Sequence, residues 1–132
     1  LVGPSIDSVY STLGWLKNIE DNFDVQVPFP VIADLDLGVA SKYGMVQPAA
    51  SDTHAVRAVF IIDPDQILRA MIYYPMSNGR SIDEVLRLVS GLQMSDANGV
   101  ATPEGWRPGE PVIVPPPKTV DAARARKDGG YE

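Results

Sequence analysis

Cysteine is absent from this 132-residue chain, and histidine occurs once, as His54. The first absence removes a disulfide framework, a thiolate metal site and a thiol nucleophile from this stretch of sequence. The second leaves too little imidazole for a multi-histidine metal site or a Ser/His/Asp triad. Positive charge is scarce too: 11 basic residues stand against 17 acidic ones, a net of −6, and no run concentrates either sign. A phosphate backbone would be repelled on average, so nucleic acid is not an expected partner. No apolar stretch approaches a bilayer span, and residues 1–15 have neither the basic start nor the apolar centre of a signal peptide. No membrane association and a cytoplasmic location are the expectations. A Gly-rich loop between strand and helix is also missing, which removes the usual ground for a phosphate- or nucleotide-binding domain.

What is present suffices for one modest core, with 45% hydrophobic and 21% charged side chains. Leu1 to Ile6 reads as a short buried strand, and Asp7 or Ser8 can cap a helix with Val9, Leu13, Leu16 and Ile19 on one face. Pro28 and Pro30 stop any helix and open the apolar run Val31-Ile32-Ala33. Asp34 and Asp36 are placed to cap a helical turn through Val39, Ala40 and Tyr43, ended by Gly44. Arg57-Ala58-Val59-Phe60-Ile61-Ile62-Asp63 is a β-branched and aromatic run suited to a sheet buried on both faces. Pro64-Asp65 marks a turn, residues 67–74 form a second strand, and the two make a hairpin. Ser81-Ile82-Asp83-Glu84 is a capping box opening a helix with Ile82, Val85, Leu86, Val89 and Leu92 on one face.

This order of elements predicts an α/β fold with a hairpin and a closing helix, the way a thioredoxin-like fold ends. The start inside a strand, with no Met, makes a fragment the expectation. Six of the twelve prolines lie between Pro103 and Pro117, and the shift in composition near residue 94 places a domain edge there. Residues 1–93 are then a partial core. Residues 94–132 are an extended arm with the apolar run Val112-Ile113-Val114, the stretch Pro115-Pro116-Pro117, and a short basic helix capped by Thr119 or Asp121. Such an arm has too little core to fold alone and is expected to lie on another surface.

Four separated stretches, in order, resemble the one-Cys peroxiredoxins: the start from Leu1 through Ser11, Val59-Phe60-Ile61-Ile62-Asp63-Pro64, the run from Tyr73-Tyr74-Pro75 through Gly79-Arg80 to Glu84, and Val100-Ala101-Thr102-Pro103 with Trp106 and residues 112–117. The resemblance implies an incomplete thioredoxin-like (peroxiredoxin) fold, a central mixed sheet with flanking helices plus the arm. It also implies a thiol peroxidase that reduces hydrogen peroxide or alkyl hydroperoxides through a cysteine thiolate, in antioxidant defence and redox homeostasis. In the family that cysteine sits in a Pro-Val-Cys-Thr-Thr-type motif upstream of the equivalent of Leu1. This chain by itself is therefore expected to be inactive. A homodimer, or a ring of dimers, joined through the arm, and an unidentified thiol reductant are further implications. No cofactor and no metal are called for.

Under that resemblance Arg57 matches the family's active-site arginine, and Arg80 matches a second arginine near the pocket. A guanidinium beside a thiolate lowers its pKa and can polarise a peroxide oxygen. Without the resemblance, Arg57 at a strand start would read as a solvated end or a salt-bridge partner. Arg80 has a structural alternative as well, pairing with Asp83 or Glu84. His54 could tune a peroxide pocket or, more commonly for such a residue, cap the loop before Arg57. Trp15, Trp106, Tyr73 and Tyr74 could line a pocket or an interface, with core packing the ordinary role for Trp15. Pro4 replaces an apolar strand former of the family, so the strand either bulges there or leaves its donor side unpaired. The competing reading is a cysteine-less thioredoxin-like assembly module without catalysis.

Overall fold

The computed structural model describes residues 1–46 and 56–128. The chain forms two compact units, Leu1–Arg80 and Ser81–Glu132. The first contains β1 (Gly3–Ser5), α1 (Val9–Phe23), β2 (Val31–Ala33), α2 (Gly38–Lys42), β3 (Arg57–Ile62) and β4 (Leu68–Tyr74). The second contains α3 (Ile82–Asn98) and α4 (Val120–Asp128). The composition shift at residue 94 falls inside α3, because the amphipathic pattern of that helix runs on past it to the αL glycine Gly99.

In the first unit, β1 pairs in parallel with β2, Pro4 standing opposite Ile32. Gly3 donates to the Pro30 carbonyl at 3.1 Å and the Ser5 carbonyl accepts from Asp34. Residues alternate in direction along a parallel ladder, so the nitrogen of Pro4 faces away from β2 and its missing donor costs this pairing nothing. The strand is shorter than expected: Leu1 and Val2 are exposed and lie outside it.

Ser8 caps α1 by accepting the Ser11 N–H at 3.1 Å. Thr12, Leu16 and Ile19, spaced i, i+4 and i+7, form its partly covered stripe. Val9 and Leu13 on one flank are exposed, and so is Trp15 on the other at 55%, so it is not the core residue its type suggested.

The buried centre of this unit is small: Ala40 on α2, Val56 just before β3, Ala58 within it, and the carboxylate of Asp34. That carboxylate accepts the N–H groups of Val39 at 2.8 Å and Ala40 at 2.7 Å. It satisfies donors that the start of a helix leaves without partners. Those two main-chain bonds hold its carboxyl below the usual range, against the opposing effect of burial.

β3 and β4 form the predicted hairpin. The parallel and antiparallel pairings expected in one mixed sheet occur as two separate two-stranded ladders, since no described strand joins β1–β2 to β3–β4. β3 is correspondingly not buried on both faces; beyond Ala58 its side chains are half-buried and Ile62 is exposed.

In the second unit, Ser81 accepts the Glu84 N–H at 3.3 Å, but the capping box is only half made. The Glu84 carboxylate turns instead to Arg87, at 2.6 Å to Nε and 2.7 Å to Nη2. A two-point bond to a guanidinium is stronger than one to a neutral N–H. It also holds the Glu84 carboxyl below its ordinary range, again against burial. Arg87 donates through Nη1 to the carbonyl of Trp106 at 3.3 Å. The Trp106 ring, 1% exposed, lies over Gly91, where a methyl group would meet its Cε3 at 3.9 Å and the Thr102 hydroxyl at 3.3 Å. Its indole N–H donates to the Glu110 carbonyl at 3.0 Å. Beyond it, Ala101 and Ile113 form a two-bond antiparallel bridge. The first part of the arm, expected to lie on another surface, folds onto α3 of its own chain, because one buried indole supplies the core that the prolines could not. Thr119 caps α4 by accepting the Ala122 N–H at 3.2 Å.

Two outcomes follow. Trp106→Ala should lower unfolding stability by about 3–5 kcal/mol, read as a fall in urea midpoint. Asp34 has a depressed folded-state pKa, so its contribution is complete above its unfolded value of 3.8 and is lost as pH falls through the folded value. Asp34→Asn should lower the melting temperature at pH 7 and flatten its decline in acid; an unchanged acid slope would count against this role.

Candidate active site

Arg57 opens β3 opposite Tyr74, the last residue of β4. Cross-strand partners share a face, so Arg57 and Tyr74 lie on one side of the hairpin, Ala58 and Tyr73 on the other. On the Tyr73 side the rings of Tyr43 and Phe60 meet edge to face at 5.0 Å, and those of Phe60 and Tyr73 at 5.8 Å. The Tyr73 hydroxyl donates to the Tyr43 carbonyl at 3.2 Å. Tyr73 thus fastens the end of α2 to the hairpin rather than lining an open pocket.

Past Tyr74 the chain turns through residues 75–78, closed by the Asn78 N–H donating to the Pro75 carbonyl at 3.0 Å. The Arg57 guanidinium donates through Nη1 to the carbonyl of Asn78 at 2.7 Å. Arg80 follows two residues later, exposed. Both predicted arginines are thus brought to the open end of the hairpin. Among the described residues no carboxylate pairs with either of them. By contrast Arg69, near the closed end, is matched by Asp63 at 3.2 Å. Among the described residues the open end therefore carries positive charge without a paired carboxylate, the condition for attracting and stabilising an anion.

His54 lies outside the described residues. Trp106 is buried in the second unit and is not free to line a pocket. Asp34 is the helix cap described above, and Asp36 accepts the Gly38 N–H at 3.2 Å. The contribution of Asn78 was not foreseen. Its signal was the string Pro75-Met76-Ser77-Asn78-Gly79, a turn composition, but a carbonyl acceptor has no side chain to read.

Comparison with known proteins bears on the fold and the family. A family model described as the AhpC/TSA family matches residues 1–71, and one described as the C-terminal domain of 1-Cys peroxiredoxin matches residues 91–130. A peroxiredoxin of Methanosarcina mazei is 52% identical over 96% of this chain and 60% of its own length. One from Aquifex aeolicus is 51% identical over 100% of this chain and 64% of its own. Among solved structures, the yeast mitochondrial 1-Cys peroxiredoxin, described with its thiol resolving mechanism via glutathione/thioredoxin systems, superposes with a TM-score of 0.83 at 38% identity, covering 95% of this chain and 62% of that one. A cysteine-to-serine mutant of peroxiredoxin 6 from Arenicola marina gives 0.82 at 36% identity, with 95% and 60% covered. The fold is thus an α/β fold of the thioredoxin-like class. The chain belongs to the peroxiredoxin family, and it spans about 60% of the length of these relatives. Among the described residues no helix is long and apolar enough to cross a membrane.

Proposed function

We propose that this chain supplies the electropositive wall of a thiol peroxidase site, whose cysteine belongs to a segment upstream in a longer protein. The observation that carries the reading is Arg57, held by the Asn78 carbonyl at 2.7 Å and left without a carboxylate partner among the described residues. In the proposed reaction the thiolate sulfur attacks the terminal oxygen of hydrogen peroxide or an alkyl hydroperoxide. An S–O bond forms, the O–O bond breaks, and water or an alcohol leaves once the departing oxygen is protonated. The cysteine is left as a sulfenic acid, which a thiol reductant returns to the thiol. Arg57 acts at two points: its charge favours thiolate over thiol, and its N–H groups stabilise negative charge on the departing oxygen. Arg80 adds charge at the same end. A module without catalysis would not require two arginines at one end of a hairpin with no carboxylate paired to either among the described residues, and is the less favoured reading.

The same proposal gives residues 1–93 to the peroxidase core and residues 94–132 to a dimerisation arm, in a cytoplasmic homodimer or ring of dimers. Support comes from the far part of the arm, where Ile113, Val114 and Val120 are exposed while Arg126 ties α4 back to the carbonyl of Pro115 at 2.9 Å.

In the cysteine-bearing full-length protein, Arg57→Ala should raise the cysteine pKa and slow reaction with hydrogen peroxide by about a hundredfold at neutral pH. An unchanged second-order rate removes Arg57 from the mechanism. Truncation after Ile113, which keeps Trp106 in place, should shift sedimentation toward the monomer. An unaltered profile removes the arm from the dimer contact.

A further inference from the structure

We infer that the turn over residues 75–78 is the positioning element of Arg57 and acts through the main-chain carbonyl of Asn78, not through a side chain; the inference rests on the reading of Arg57 given above. An arginine at a strand end has four flexible side-chain torsions and, unheld, samples many rotamers. Here it is held at both ends. Its Cα is set by pairing with Tyr74, and its guanidinium by the Asn78 carbonyl at 2.7 Å. The acceptor is itself fixed by backbone: Tyr74, the last ladder residue before the turn, is paired, Pro75 has a ring-restricted φ, and the Asn78 N–H closes the turn on the Pro75 carbonyl at 3.0 Å. The Asn78 side chain is engaged elsewhere, its Oδ1 accepting the Ser77 hydroxyl at 2.8 Å.

A guanidinium carries five N–H donors, and the carbonyl takes one of them without adding a negative charge. A carboxylate in the same place would hold Arg57 as firmly but would oppose a second anion. The remaining N–H groups have no partner among the described residues. They are left for the thiolate and the peroxide oxygens.

The test uses the cysteine-bearing full-length protein and compares Asn78→Pro, which deletes the N–H closing the turn, with Asn78→Ala, which keeps both main-chain groups. Asn78→Pro should move the pH midpoint of the peroxide reaction upward and lower the neutral-pH rate by about tenfold, as expected when a catalytic group is displaced. Asn78→Ala should stay within about twofold of wild type. If Asn78→Pro fails to fold by circular dichroism, Pro75→Gly replaces it, keeping every acceptor while loosening the turn. A smaller upward shift is then expected. A wild-type pH profile in the folded turn variant overturns the inference, as does an Asn78→Ala defect equal to that of the turn variant. Arg57→Ala, run alongside, separates the two failures: if it too leaves the rate unchanged, the reading of Arg57 fails rather than the role of the turn.

Discussion

The Asp63 carboxylate fixes where the β3–β4 ladder begins, and the position of the candidate site depends on it. Its Oδ1 accepts the N–H groups of Asp65 at 3.0 Å and Ile67 at 2.9 Å, and Oδ2 takes Arg69 at 3.2 Å. The bulge between Ile61 and Ile62 absorbs the irregularity next to the turn, and regular pairing then runs to Arg57 opposite Tyr74. Strand side chains alternate with a period of two, so a slip of one residue would carry Arg57 to the face that holds Phe60 and Tyr73. An acid at the closed end thus sets the face of a base roughly 20 Å away at the open end.

Three acids in this chain are engaged by backbone N–H groups or by structural arginines. Asp34 takes two N–H groups of α2, Asp63 organises a turn, and Glu84 grips Arg87. None of these three carboxylates is paired with Arg57 or Arg80.

Much of this was legible in the sequence where it depended on local rules. Ser8, Ser81, Thr119, Asp34 and Gly44 declared the helix ends, and the run through Phe60 and Ile61 declared the hairpin. Burial was less legible. Trp15 and Leu86 have the residue types of a core but are exposed, since pattern fixes the direction of a side chain and not what covers it. Trp106 was missed for the opposite reason. It packs on the face of α3 that carries Glu84, Arg87 and Gly91, opposite the apolar stripe, so hydrophobic periodicity points away from the contact. The arginines were singled out through resemblance, whereas the carbonyl that holds Arg57 carries no residue identity at all.

That last feature bears on how the site tolerates change over evolution. A side-chain anchor is lost by substitution; a main-chain anchor survives most substitutions but not a change in spacing. Four residues separate Tyr74 from the glycine that follows Asn78 in a count that includes Pro75 and Asn78 themselves, and an insertion or deletion among them would carry the acceptor away from Arg57 even if every nearby side chain were kept. Residues 76–78 are accordingly expected to drift in composition while holding their number.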